Sequence, residues 1–149
     1  MEVFGCVAAV SSVVKTCGTT AAAITEFIDK YKYAFPTLAA MHTSITVIRT
    51  SLEHFQSFLQ SNVAFMERRF REQSSLEQTF EIALAGCKLI LTRLEKELLG
   101  LQDGMRLKGL PGRWAKVKFV QKDRELRELL ELLKGQRDAL AFAIDCMQV

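Results

Sequence analysis

The strongest constraint on the fold of this chain is an apolar repeat, with alternating steps of four and three residues, that begins near the amino terminus. Such steps place side chains on one face of an α-helix. The repeat therefore predicts one continuous helix of about thirty residues. Its members are Val3, Val7, Val10, Val14, Cys17, Ala21, Ile24 and Ile28.

Few charges accompany this repeat. Between Glu2 and Glu26 the sequence contains a single charged residue, Lys15, and the remaining positions are rich in Ala, Ser and Thr. A segment of this kind suits two environments, one wall of a helical core or the interior of a membrane. We expect no cleaved leader, because the first charge is Glu2 and a secretory signal begins with cations.

Two further repeats predict two more helices. Pro36 suits the first position of the second helix, and Ser74 with Glu77 forms a capping-box start for the third. The sequence does not decide whether the second helix ends near residues 61–62, because its repeat can continue through Val63, Met66 and Phe70. The second repeat is Leu38, Met41, Ile45, Ile48, Leu52, Phe55 and Leu59, and the third is Leu76, Phe80, Leu84, Cys87, Leu91, Leu94 and Leu98.

Residues 100–112, with four glycines and Pro111, predict a loop before the last portion of the chain. A short segment over residues 113–120 follows, in which we interpret Trp114 as a structural anchor, and Asp123 can cap a final helix. No stretch alternates with period two long enough to predict a strand. The sequence therefore predicts an all-α fold, a compact helical bundle of four to five helices with a long amino-terminal helix, in a single domain of residues 1–149.

Patterns typical of catalysis or metal binding are missing from the sequence. His42 and His54 match no metal-binding spacing, and no phosphate-binding glycine loop occurs. The four cysteines form no Cys-x-x-Cys pair, which favours buried thiols in a reducing compartment. We therefore expect no enzymatic activity, no cofactor and no metal, and a cytoplasmic location.

Cations concentrate in residues 106–127, which hold eight of them against Asp123 and Glu125. Three interpretations stay open: a solvated face, a surface for lipid or an acidic partner, and nucleic-acid binding, which is the least favoured because stacking aromatics and a helix-turn-helix are not evident. The candidate patch is Arg113, Lys116, Lys118, Lys122, Arg124 and Arg127.

Three stretches in order resemble a known family. They are residues 1–10 (MEVFGCVAAV) leading into the helix to Phe27, residues 84–94 (LAGCKLILTRL), and residues 113–119 (RWAKVKF) followed by residues 126–140. In this order they are similar to the fungal N-terminal domain of STAND (NACHT- and ankyrin-type) receptors, grouped with the HeLo-like cell-death domains. The likeness covers almost the whole chain.

The resemblance implies a non-enzymatic effector domain of programmed cell death, heterokaryon incompatibility or innate immunity. In such domains an apolar amino-terminal helix engages the membrane after activation, so recruitment to the plasma membrane is expected. Homo-oligomers, membrane lipids including anionic ones, and a receptor or adaptor protein are the implied partners. The matching membrane-targeting positions in this sequence are Val3, Phe4, Val7, Val10 and Val14.

Helix geometry is compatible with this role. Residues 3–28 would span about 39 Å as a helix, which exceeds a hydrocarbon core of about 30 Å. Lys15 would lie near the middle of the hydrocarbon core, where its charge would cost about 2.5 to 3.5 kcal/mol. Gly5 with Ala9 and Gly18 with Ala22 have the small-x-x-x-small spacing that lets helices approach closely, either in a membrane oligomer or within a tight bundle.

Two alternative functions remain open from the sequence. A soluble homotypic interaction module would oligomerise in water and ignore lipid. A nucleic-acid-binding protein would use residues 113–127 and show steeply salt-dependent association.

Overall fold

A computed structural model describes residues 3–31, 36–106 and 112–148, with side chains for residues 3–30, 36–103 and 121–148. These residues form five α-helices, which confirms the all-α prediction and the long amino-terminal helix. The helices are α1 (Val3–Tyr31), α2 (Pro36–Ser61), α3 (Val63–Glu72), α4 (Ser74–Arg106) and α5 (Gly112–Gln148).

Several predicted helix boundaries agree with the structure. Pro36 is the first residue of α2 and Ser74 is the first residue of α4, as the turn and capping patterns predicted. Asn62 separates α2 from α3, so the helix does break near residues 61–62, while the apolar repeat continues into α3 through the buried Met66 and Phe70. The amide side chain of Asn62 donates a hydrogen bond to the Phe58 carbonyl at 3.0 Å and covers the end of α2.

Two boundary predictions around the glycine-rich loop were wrong. α4 continues past Gly100 to Arg106, and residues 113–120 belong to α5 instead of forming a separate segment. No glycine or proline interrupts residues 113–123, so nothing ends the helix there. Asp123 therefore lies inside α5, where its carboxylate accepts a hydrogen bond from the Thr37 hydroxyl at 2.8 Å and pairs with Arg127 at 3.0 Å.

The four long helices form a ring in which each contacts two others. α1 contacts α2 and α4, while α5 contacts the same two helices from the opposite corner. α1 and α2 are antiparallel neighbours, and so are α4 and α5, as expected for short connections. α3 contacts α1, α2 and α4, which places it at the end of the bundle where α1 begins.

The core lies along the axis of this ring and is made of apolar side chains from all five helices. Its largest fully buried side chains include Phe27, Phe55 and Phe80. The rings of Phe55 and Phe80 meet edge to face with their centroids 5.0 Å apart, a favourable aromatic geometry. This contact joins α2 to α4 near the end that α3 covers, where α1 also begins.

Candidate functional site

The face that α1 buries agrees with the predicted repeat at every second position and is shifted by one residue at the positions between. Both repeats share Val3, Val10, Cys17 and Ile24, which are buried. The alternate positions differ, because α1 turns Cys6, Val13, Thr20 and Phe27 into the core and leaves Val7, Val14, Ala21 and Ile28 half-buried at its edge. Steps of three and four occur in both sets, so periodicity alone did not distinguish them.

The predicted membrane-targeting positions are therefore divided between the core and the surface. Val3 and Val10 lie in the core, Val7 and Val14 lie at its edge, and Phe4 is 72% exposed. Four of the five side chains are thus engaged in bundle packing. For those four to meet lipid, α1 must first separate from α2 and α4.

The outer face of α1 carries very little charge. Lys15 is the sole charged residue among its exposed positions before Glu26, and the others are small or hydroxyl-bearing apart from Phe4. A surface helix of a globular protein usually carries many charged side chains on this face. The exposed positions are Phe4, Gly5, Ala8, Ser11, Lys15, Thr19, Ala22 and Thr25.

Hydroxyl groups of α1 form its polar contacts with α4. Lys88 donates a hydrogen bond to the Ser12 hydroxyl at 2.7 Å. One carboxylate oxygen of Glu95 accepts hydrogen bonds from Thr20 at 2.9 Å and from Thr19 at 3.2 Å. Thr20 is fully buried, so Glu95 provides its hydroxyl with an acceptor on α4 inside the core. These contacts lie on the flank of α1 that faces α4.

The opposite flank of α1 contacts α2 through Ser11 and Gly18. The Gln56 amide donates a hydrogen bond to the Ser11 hydroxyl. Arg49 lies over Gly18, and a Cβ there would be 3.5 Å from the guanidinium, an ordinary contact distance that leaves room for alanine. Arg49 also forms an ion pair with Glu53 at 2.9 Å.

The predicted small-residue pairs are each split in the bundle. Ala9 and Gly18 are half-buried, whereas Gly5 and Ala22 are exposed. One member of each pair therefore lies against the bundle and the other faces outward. Close helix packing through a whole pair stays a prediction for an assembled state.

One helix of the described chain is long and apolar enough to cross a membrane, namely Val3–Lys30 within α1. An 18-residue stretch of this helix has a mean hydropathy of 1.4, and 28% of that stretch is buried. Core helices of soluble proteins and signal sequences have the same property, so length and composition alone do not assign α1 to a membrane.

The predicted basic patch is partly neutralised by neighbouring carboxylates. Lys122 donates to Glu97 at 2.6 Å and to Glu125 at 3.2 Å. The hydrogen bond to Glu97 raises the pKa of Lys122, and the same bond lowers the pKa of the Glu97 carboxyl. Arg127 pairs with Asp123, and Arg124 is exposed. The side chains of Arg113, Trp114, Lys116 and Lys118 lie outside the described residues.

Buried thiols in the described core are poorly suited to nucleophilic chemistry. Burial raises the pKa of Cys6 and Cys87 to about 12 and that of Cys17 to about 11, so all three are protonated at neutral pH. Among the described residues, no cluster of His, Cys, Asp or Glu has the arrangement of a metal site. The absence of catalysis stays a prediction.

Exposed apolar side chains on α4 and α5 are features that sequence reasoning missed. Ile82 and Leu89 on α4 are 73% and 72% exposed, and Leu132 and Phe142 on α5 are 53% and 64% exposed. Beside Leu132 lies a shallow, largely apolar depression on α5, lined by Arg124, Arg127, Glu128, Glu131 and Leu132. The available signal was that these apolar residues fall outside the buried repeats of their helices.

No family model matches the chain, and no curated protein or solved structure gives a significant match.

Proposed function

We propose that this chain is a non-enzymatic effector domain in which α1 leaves the bundle, self-associates and enters a membrane to induce regulated cell death or incompatibility. The observation that carries the proposal is the length of α1, 29 residues, combined with an outer face that has one charge before Glu26. A helix that only closed a soluble bundle would have no need to keep that face free of charge. This role is also the one implied by the resemblance to the HeLo-like domains.

Packing energy sets how tightly α1 is held at rest. Its buried face includes Val3, Val10, Val13, Ile24 and Phe27. Burying each such side chain contributes about 1.5 to 3 kcal/mol, so the face as a whole contributes on the order of 10 kcal/mol. A small domain has a free energy of unfolding of about 5 to 15 kcal/mol. Spontaneous release is therefore rare, and a trigger or an acceptor for the released face is required.

A membrane is a suitable acceptor because it buries the same apolar face again. A helix of 29 residues is about 43 Å long, which exceeds the hydrocarbon thickness of about 30 Å. Lys15 opposes insertion by about 2.5 to 3.5 kcal/mol. Association of several copies with Lys15 directed away from lipid would reduce this cost, which links insertion to self-association.

The rest of the bundle retains contacts after α1 departs. α5 contacts both α2 and α4, so these three helices stay connected without α1. Arg124 and the other cations at the amino-terminal half of α5 would then strengthen binding to anionic lipid, each contributing about 1 kcal/mol near the surface.

Dye leakage from liposomes tests the proposal with substitutions that spare the resting bundle. Ala8 and Ala22 are exposed on α1, and Val47 on α2 is 44% exposed and serves as the matched control. The double variant Ala8→Asp with Ala22→Asp should lose leakage at least about 100-fold, because two carboxylates on the inserting helix cost several kcal/mol. Val47→Asp should leak like the unmodified chain.

Circular dichroism and urea unfolding must first establish that all these variants are equally folded. Stronger leakage from anionic than from neutral liposomes would support a contribution of the cations on α5. Undiminished leakage by the double aspartate variant would contradict insertion of α1.

A second candidate function is a soluble homotypic interaction module without membrane activity. The exposed Ile82, Leu89, Leu132 and Phe142 favour it, because they provide an apolar surface for a protein partner. This function predicts oligomers in water and no response to liposomes of either composition.

A further inference from the structure

Gly135 lies at the centre of the outer surface of α5, where a glycine is unusual. This residue is exposed in the interior of a 37-residue helix, and among the described residues no atom outside its own helix backbone and its chain neighbours lies within 4 Å of the position that a Cβ would take. Glycine destabilises a helix interior relative to alanine, and packing within this chain does not require it. A glycine at an exposed centre allows the backbone of another chain to approach closely.

Complementary features lie at equal distances on the two sides of Gly135. Phe142, 64% exposed, is seven residues after it. The shallow depression is centred near Glu128, seven residues before it, and its lining is largely apolar. Seven residues are nearly two full turns, so protrusion and depression lie on the same side of α5 as Gly135. Each is about 10 Å from the centre.

The outermost exposed charges among the described side chains of α5 also lie at nearly equal distances on the two sides of Gly135. Arg124 lies eleven residues before Gly135, and Asp145 lies ten residues after it. Nearer the centre this relation does not hold, because Glu131, four residues before Gly135, and Asp138, three residues after it, are both exposed carboxylates. Two α5 helices that cross antiparallel at Gly135 therefore bring Arg124 of each near Asp145 of the other. A parallel arrangement would bring like charges together.

The surface is large enough for a stable pair. The described side chains of α5 from residue 121 to residue 148 extend over about 42 Å, and α4 lies beside α5 at a separation of about 10 Å. Two neighbouring helices of this length present about 800 Å², the area that each partner contributes to a standard interface. Ile82 and Leu89 of α4 and Leu132 of α5 add exposed apolar surface.

We propose that two copies of this chain pair through α5 about a two-fold axis at Gly135, with Phe142 of each copy seated in the depression of the other. The occupant of this face is thus a second copy, because the protrusion, the depression and the outermost charges, Arg124 and Asp145, are complementary about one point, as a two-fold interface requires. The inference goes beyond the proposed function, in which α1 is the helix that self-associates. It does not involve α1, so the pair forms in the resting state.

Sedimentation equilibrium of the whole chain in lipid-free buffer tests the pairing. The unmodified chain should show a monomer–dimer equilibrium. Phe142→Asp and Gly135→Arg should each raise the dimer dissociation constant at least tenfold, because one removes the protrusion and the other fills the crossing point. Val47→Asp, also an exposed apolar position but on α2, should leave it unchanged.

A charge exchange identifies the orientation of the pair. Arg124→Glu and Asp145→Lys should each weaken the dimer, and the double variant should restore it, because the ion pair re-forms with reversed signs. A chain that stays monomeric up to roughly 1 mM, a dimer indifferent to Phe142→Asp and Gly135→Arg, or no restoration by the double exchange would each overturn the inference.

The liposome assay separates this inference from the membrane proposal. If the chain dimerises as described but leakage does not depend on α1, the pairing stands and the membrane proposal fails. If leakage depends on α1 while the unmodified chain shows no dimer in sedimentation, the membrane proposal stands and the pairing is overturned.

Discussion

Removing the Glu95 carboxylate should loosen α1 without changing any residue of α1 itself. Glu95 lies on α4 and is half-buried, and it accepts the hydrogen bonds of Thr19 and Thr20 at 3.2 and 2.9 Å. Replacement by alanine keeps the helix propensity of α4 high but leaves the buried Thr20 hydroxyl without its acceptor on α4. The change therefore acts on one interface, between α1 and α4.

The expected magnitude follows from these contacts. A hydrogen bond to a charged group contributes about 1.5 to 3 kcal/mol when buried. Thr19 is exposed and already donates to the Thr16 carbonyl at 3.0 Å, so its bond to Glu95 adds little. Thr20 can turn toward a carbonyl of its own helix, which recovers part of the loss. We expect Glu95→Ala to lower the free energy of unfolding by about 1 to 2 kcal/mol.

Local opening of α1 should increase by the corresponding factor. A change of 1 to 2 kcal/mol is roughly a 5- to 30-fold change in an equilibrium constant. Hydrogen exchange should show faster amide exchange in α1 by about this factor, with a smaller change in α5, which does not lie against α1. Glu95→Gln keeps a side-chain oxygen acceptor and is the matched control, with a smaller effect on both measurements.

Two results would refute this reasoning. If urea unfolding gives Glu95→Ala the stability of the unmodified chain, the hydrogen bonds to Glu95 contribute nothing net. If stability falls but amide exchange rises equally in α1 and α5, Glu95 supports the whole bundle and does not hold α1 in particular.

Glycine and cysteine positions provide the remaining predictions. At protein concentrations below the dimer dissociation constant, Gly135→Ala should raise the free energy of unfolding by about 0.5 to 1 kcal/mol in urea, because within the monomer no described residue outside its own helix backbone would meet the new Cβ. Gly86→Ala should gain less or destabilise, because its Cβ would lie 2.8 Å from the Gln136 side chain. In alkylation at pH 8, Cys146, which is half-buried, should react before the three buried thiols, and simultaneous reaction of all four would contradict their assigned burial. The raised pKa values of those thiols also predict that stability falls as the pH rises above about 9 toward 11 to 12, because the unfolded chain releases their protons first. The buried thiols are Cys6, Cys17 and Cys87.

The number of helices and most helix boundaries could be predicted because they depend on residues that are close together in the sequence. Pro36 and Ser74 favour helix starts by their own conformational preferences, and the apolar repeats extend over many turns. The extension of α5 back to Gly112 was missed because Asp123 has the residue type of a helix cap. Inside the helix its carboxylate instead meets Thr37 of α2, a contact between residues far apart in the sequence.

The face by which α1 packs could not be chosen from the sequence because two neighbouring faces are almost equally apolar. Cys6 and Val7 are adjacent, as are Phe27 and Ile28, and either member of each pair completes a repeat. Thr20 is the position at which the burial differs most from expectation, since a hydroxyl enters the core. Its acceptor, Glu95, is 75 residues away, so the sequence near Thr20 contains no sign of it.

The exposed apolar position Leu132 on α5 could be predicted from the sequence, because apolar residues are in excess there. Leu129, Leu130, Leu132 and Leu133 follow one another so closely that a helix cannot bury all of them on one face. The bundle buries three and leaves Leu132 exposed. Leu132 lies off the helix face that Leu129, Leu130 and Leu133 share, so helical periodicity predicts that it is the exposed one.

Polar contacts from the neighbouring helices can adjust how readily α1 opens, although its own apolar face contributes most of the packing energy. Its core face would be apolar enough for lipid and for protein alike, so substitutions there change both environments together and cannot separate them. Glu95, Lys88 and Gln56 contact α1 from other helices and would stay behind if it left. Changes at these three positions shift the resting equilibrium while the released helix keeps its composition. If α1 acts as proposed, such a bundle can adjust its threshold for release through α2 and α4 while the sequence of α1 stays unchanged.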